Sequence, residues 1–194
     1  MQLIFATNNQ HKIEEINSVI PPGFSVMSLK EAGIDMDIPE PHQTLEENAA
    51  EKAKVISQIT GKNCFSEDTG LEVYELNNEP GVHSARYAGD ERDFHKNIDK
   101  LLSKLEGTTD RHARFRAVIC VILDKKEYLF EGICEGKIIE KQTGTSGFGY
   151  DSIFIPAGAD KTFAQMTMTE KNKYSHRKKA FDKLVEFLKN KNDL

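Results

Sequence analysis

An α/β fold with a mixed β-sheet flanked by helices is what the sequence predicts, and three observations carry that prediction. Short apolar runs such as Leu3-Ile4-Phe5-Ala6 alternate with stretches whose apolar residues recur at helical spacing. Two long strand-like runs, Ala113 to Leu123 and Tyr128 to Ile139, flank the polar turn Asp124-Lys125-Lys126-Glu127 and read as an antiparallel hairpin. Parallel β-α units mixed with such a hairpin belong to the α/β class. The substrate cleft is then expected where helix starts and strand ends converge.

Taken in chain order, the first apolar run is a buried strand, and Lys12-Ile13-Glu14-Glu15-Ile16 opens a helix whose stripe is Ile13, Ile16 and Ile20. Thr44-Leu45-Glu46-Glu47 is a capping box, with Thr44 as N-cap and Glu47 at the third helical position. The helix it starts places Leu45, Ala49, Ala53, Ile56 and Ile59 on one face and stops at Gly61. A short strand, Asn63-Cys64-Phe65, follows. A helix from Arg92 to Glu106 has Phe94, Ile98, Leu101 and Leu105 as its stripe and Gly107 as its stop. After the hairpin come a strand at Ile153-Phe154-Ile155 and a last helix, N-capped by Ser175, with Phe181, Leu184 and Leu188 inward.

The chain has 194 residues, enough for one sizeable core or for a domain with a smaller lobe. A formal charge of −5 argues against a nucleic-acid scaffold, which carries a basic surface, but leaves room for a small basic cleft. Cys64, Cys120 and Cys134 are odd in number and lack a C-x-x-C spacing; Cys120 and Cys134, in apolar runs, are expected to be reduced core residues, and a reducing cytoplasm is the expected home. No signal-peptide pattern or membrane-length apolar run is present. The scattered histidines form no zinc pattern, and neither H-E-x-x-H nor G-x-S-x-G occurs.

Five segments carry candidate chemistry. Thr7-Asn8-Asn9-Gln10-His11-Lys12 joins a strand to a helix start, where unpaired N–H groups, the helix dipole and a lysine suit a phosphate. It lacks the glycines of a P-loop, so hydroxyl and amide side chains would replace glycine-rich backbone; an ordinary N-capped helix is the alternative. Ser66-Glu67-Asp68-Thr69-Gly70 offers oxygen ligands of the kind Mg²⁺ takes, or else an Asx-type turn. Glu40, held between Pro39 and Pro41, is a second acidic candidate, or a solvated loop acid. Ser146-Gly147-Phe148-Gly149-Tyr150-Asp151 frees a ring to stack on a base, unless Phe148 and Tyr150 are core. Lys171, His176 and Arg177 precede or open the last helix, where cations oppose the dipole and need an anion or acceptor to meet. The bland reading of that basic run is a solvated face.

In order and spacing these segments resemble the inosine triphosphate pyrophosphatase family. The resemblance also takes in Thr44-Leu45-Glu46-Glu47-Asn48-Ala49, Pro80-Gly81-Val82-His83-Ser84-Ala85-Arg86-Tyr87 and Ala113-Arg114-Phe115, and so covers nearly the whole chain. It implies a single domain over residues 1–194 with an elongated mixed sheet, two lobes and an active-site cleft between them. It also implies a homodimer, a Mg²⁺ requirement, and hydrolysis of ITP, dITP or XTP to the monophosphate and pyrophosphate.

By position, the resemblance gives Thr7, Asn8, Asn9, Gln10, His11 and Lys12 to the phosphates, with Lys52 and Lys171 adding charge. Glu40 and Asp68 match metal positions, and Asp68 also matches the general base. Thr69 matches a substrate contact, and Phe148, Gly149, Tyr150, Asp151, His176 and Arg177 the base pocket, with Arg86 on its rim. Many bacterial relatives read Asp-Asp-Ser-Gly where this chain has Glu67-Asp68-Thr69-Gly70, which leaves Glu67 two roles, metal ligand or partner of the base. Three rivals are a nucleotide sensor without catalysis, a phosphatase releasing orthophosphate, and a nucleic-acid module using the Lys173 to Lys179 run.

Overall fold

A computed structural model describes residues 1–192 of the chain. Strand β1 (Gln2–Phe5) leads through helix α1 (Gln10–Asn17) to β2 (Ser25–Ser28), and helix α2 (Leu45–Thr60) returns the chain to β3 (Cys64–Val73). Then come β4 (Glu79–Gly81), α3 (Phe94–Lys104), the hairpin β5 (His112–Leu123) and β6 (Lys126–Ile138), β7 (Phe154–Pro156), α4 (Met168–Lys171) and α5 (His176–Asn192). The strands form one mixed seven-stranded sheet in the order β2-β1-β3-β5-β6-β7, with β4 paired to β3. β1 runs parallel to both β2 and β3, whereas β4 on β3 and β7 on β6 are antiparallel.

The order β2-β1-β3 creates a switch point. The connection out of β1 goes to one side of it and the next connection crosses to the other, which opens a crevice beyond the carboxyl end of β1. Register places that crevice in the sequence. Phe5 pairs with Phe65, so Thr7 to Lys12 and the pair Glu67-Asp68 both lie just past the last rung.

The chain divides into two compact units. The first comprises Met1–Asp68, Ala117–Gly132 and the chain from Arg177 on; the second comprises Thr69–Arg116 and Ile133–His176. In the first, Leu3, Phe5, Ile16, Phe65, Ile119, Phe181, Leu184 and Leu188 form the core. The Phe5 and Phe65 rings stack there with centroids 4.4 Å apart. In the second, Leu71, Ile98, Leu101, Leu105, Phe115, Phe154 and Phe163 do the same.

Several expected elements differ in the structure. The strand anticipated at Asn63-Cys64-Phe65 runs on to Val73, so the acidic pair sits inside a buried strand and not in a turn. Gly70 is needed there for a close approach, since a Cβ would lie 2.6 Å from the Gly81 carbonyl oxygen. The first helix starts at Gln10 and not Lys12, because Asn9 is its N-cap. Thr44 accepts a hydrogen bond from the Glu47 N–H, but the Glu47 carboxylate returns to the Thr44 hydroxyl at 2.8 Å. Ile59 is 57% exposed and Phe94 36%, since each lies at an end of its stripe, beyond the face its helix buries. The hairpin turn tightens to Asp124 and Lys125, both at positive φ as a two-residue loop requires.

Candidate functional site

In the first unit the site is built from three short segments pinned to one another. The Thr7 hydroxyl accepts from the Asn9 N–H at 3.1 Å, and the Asn9 side chain accepts from the Lys12 N–H at 3.2 Å. Side chains thus hold the turn that glycines hold in a P-loop. Gln10 and His11 are exposed on the first turn of α1. Asn8 donates to the Met36 carbonyl at 2.8 Å, and buried Asn48 on α2 accepts from the His42 N–H at 2.9 Å and donates to the His42 carbonyl at 3.2 Å. The stretch carrying Pro39-Glu40-Pro41 is therefore tied down on both sides.

The result is a convergence on one ammonium. Lys52 Nζ lies 2.6 Å from Glu40 Oε1, 3.0 Å from Asp68 Oδ1 and 3.0 Å from the Glu67 carbonyl oxygen. Lys12 Nζ reaches the same carbonyl at 3.3 Å and stands 3.7 Å from Glu67 Oε2. Successive side chains of a strand point to opposite faces, and this divides the acidic pair. Asp68 faces Lys52, whereas Glu67 takes a two-pronged grip from Arg177, with Nε at 2.8 Å and Nη2 at 3.2 Å. Arg177 Nη1 donates to Glu15. Sequence reasoning missed Glu15 and Asn48; Glu15 follows Lys12 by one turn of α1, which is the only local signal it gives.

Three cations (Lys12, Lys52, Arg177) thus face four carboxylates (Glu15, Glu40, Glu67, Asp68). Buried charges of this kind persist only when paired. Burial pushes the Asp68 carboxyl up, with Glu40 adding to the rise and Lys52 and Lys12 opposing it; the net direction is upward. Burial also acts upward on Glu40, but Lys52 outweighs it and holds Glu40 down at about 2. Burial alone would lower Lys52; its two carboxylates raise it instead. For Lys12 burial wins and the ammonium is lowered. Arg177 is raised, since Glu67 and Glu15 overcome its burial.

Among the described residues, no group of three or more His, Cys, Asp or Glu side chains is arranged to hold a metal ion. The pair Glu40 and Asp68 does present two hard oxygens to a single point. That donor set fits Mg²⁺, which is held by one or two carboxylates, with waters and substrate phosphates completing its shell.

In the second unit a loop and a helix end make a separate aromatic cluster. The Asp151 carboxylate accepts from the Phe148 N–H at 3.0 Å and pairs with Lys171 Nζ at 2.6 Å. Gly147, at φ +79°, is required there: a Cβ would sit 2.1 Å from Asp151 Oδ2. Asp151 thereby locks the loop, and Phe148 stays half-buried with Lys171 Nζ 5.4 Å from its ring centre. His176 is buried and stacks on Phe115 at 4.8 Å. Thr69 lies in β3 beside Asp68, and Arg86 ends a single 3₁₀ turn, Ser84–Arg86.

Three of the candidate residues make contacts within their own units. The Tyr150 ring belongs to the core, and its hydroxyl donates to the Ser84 carbonyl at 2.8 Å. Lys171 pairs with Asp151, three residues past Phe148. Arg177 spends Nε, Nη1 and Nη2 on carboxylates of the first unit, and those are the anions that compensate its place at a helix start. The Glu67 carboxylate meets Arg177 and Lys12, and its backbone carbonyl meets Lys52.

A sequence profile of the Ham1 family matches residues 3–187. The dITP/XTP pyrophosphatase of Flavobacterium psychrophilum is 49% identical over 190 residues, which cover 98% of this chain and 100% of that one. The dITP/XTP pyrophosphatase of Bacillus licheniformis is 44% identical over 191 residues, 96% of this chain and 97% of its own. Among solved structures, the Staphylococcus aureus Ham1 protein superposes with a TM-score of 0.88 at 40% identity, covering 98% of this chain and 100% of that one. A HAM1 protein from Coxiella burnetii gives 0.87 at 32% identity, with 98% and 99% covered.

Proposed function

Because the chain belongs to the Ham1 family, we propose that it hydrolyses non-standard purine nucleoside triphosphates, dITP and XTP among them, to the monophosphate and pyrophosphate. The observation that carries the reading is the meeting of Glu40 and Asp68 on one cationic point beside the Thr7–Lys12 turn. Cleaving a phosphoanhydride asks a protein mainly for positioning and for neutralisation of charge. Lys12 and the N-terminus of α1 receive the phosphates. Asp68, with its raised carboxyl, takes the proton of the attacking water. Glu40 and Asp68 would hold Mg²⁺, which when bound offsets phosphate charge and acidifies water.

Phe148 offers a half-buried ring on which a purine stacks, with Asp151 and Lys171 fixing the loop beneath it. Incubation with dITP and Mg²⁺, followed by identification of products, tests the reaction. Pyrophosphate and dIMP are expected. Orthophosphate would make the chain a phosphatase, and tight binding without turnover would make it a sensor. Comparing dITP, XTP, GTP and ATP rates tests the base preference, which equal rates would end. Pairing of two copies, as the family resemblance implies, is measured by light scattering on the eluted protein.

A further inference from the structure

We propose that the Lys52 ammonium and the divalent ion compete for one seat, so that binding of the ion requires the ammonium to leave it. The inference rests on the metal assignment proposed above and adds to it a role for Lys52 that is not simple phosphate neutralisation. An ammonium has three N–H donors, and the three oxygens around Lys52 Nζ, from Glu40, Asp68 and the Glu67 carbonyl, stand at 2.6, 3.0 and 3.0 Å. That is a complete set of acceptors for a lysine. It is also a set of hard oxygens, which Mg²⁺ would draw in to about 2.0–2.1 Å. The two cations cannot share it, because each needs the same lone pairs and they repel one another at contact range.

Lys52 is well placed to hold the seat and to leave it. Its side chain is only 7% exposed, so in place it keeps two acids from facing each other across a dry gap. Lys12 already competes for the Glu67 carbonyl from 3.3 Å, which leaves that acceptor shared when Lys52 moves away. The ammonium that departs is then a cation freed beside an anion site. Loading is taxed by the fraction of chains whose seat is open, and removal of the ammonium lifts that tax.

Titrating Mn²⁺, which takes the same oxygen ligands as Mg²⁺, into the protein at fixed pH without nucleotide tests the exchange. Calorimetry on the wild-type chain, Lys52→Met and Glu40→Gln is expected to show roughly tenfold or greater tightening for Lys52→Met. Binding to Glu40→Gln should be lost. Equal or weaker binding to folded Lys52→Met, with Glu40→Gln still impaired, overturns the exchange and leaves the metal assignment standing. Undiminished binding to Glu40→Gln overturns both. If Lys52→Met does not fold, the wild-type chain carries the test by NMR of the lysine ε-carbons. The Lys52 signal must shift as Mg²⁺ saturates the site, and an unmoved signal overturns the proposal.

Discussion

Asp68 and Glu67 are neighbours with opposite duties, and single substitutions should separate them. Asp68→Asn keeps the volume and a hydrogen-bond acceptor for Lys52, and Glu40 still neutralises the ammonium. The fold should survive while turnover of dITP under saturating Mg²⁺ falls by about 10²–10⁴, the usual worth of a positioned base. A pyrophosphate-release assay reads this, and near-normal turnover would remove Asp68 from the chemistry.

Arg177 should behave in the reverse way. Arg177→Ala leaves the carboxylates of Glu67 and Glu15 buried without their shared cation, a loss of about 3–5 kcal/mol in unfolding free energy. Glu15→Gln removes one partner but leaves the two-pronged Glu67 contact, so it should cost less, about 1–3 kcal/mol. Urea denaturation of the two variants orders them. If Arg177→Ala were the milder change, the guanidinium would not be the keystone the geometry makes it.

At the scale of elements, the ends of α2 show what local chemistry determines. Thr44 receives the Glu47 N–H, and Gly61 adopts the left-handed conformation at φ 64° that closes the helix. Thr44→Ala should therefore cost about 1 kcal/mol in stability, measured as a shift in the urea midpoint with unchanged slope. These features were legible because each depends on residues within one or two turns. The hairpin was legible for the same reason, since Asp124 and Lys125 tolerate positive φ between two apolar runs.

β3 was not legible past Phe65, and the reason is physical. Glu67 and Asp68 read in sequence as ligands or an Asx-type turn past a strand end, yet they are 1% and 6% exposed because Arg177, Lys12 and Lys52 reach them from distant parts of the chain. No window of neighbouring residues contains that compensation. The same holds for Arg177, which reads as part of a basic run until Glu15, at the other end of the sequence, is brought against it. Glu40 stood out in the sequence as an acid between two prolines, but the anchors of its stretch, Asn8 and Asn48, become visible only in three dimensions.

For the whole molecule, the three thiols form a natural set of reporters. Cys64 and Cys120 belong to the first unit and Cys134 to the second, and all three are buried thiols. Burial pushes the Cys64 and Cys120 thiols up from 9.0 to about 12. An acid whose folded pKa is raised keeps its proton where the unfolded chain has lost it. Between pH 9 and 12 the native state then binds more protons than the unfolded state, so stability falls as pH rises through that window. The slope is at most about 1.4 kcal/mol per pH unit for each thiol. Below pH 9 both states are protonated and the contribution is flat.

At pH 8 no native thiol should react with a disulfide reagent except through opening of the structure. β3, β5 and β6 each contribute residues to both units. Pulse labelling across a urea series, resolved by mass spectrometry, should therefore show Cys64, Cys120 and Cys134 becoming reactive at one common midpoint. Earlier labelling of Cys134 alone would mean that the unit carrying Phe148 and Lys171 opens by itself. Purine stacking would then rest on a part of the chain less stable than the acidic seat, and nucleotide, by binding it, would raise the Cys134 midpoint toward the other two.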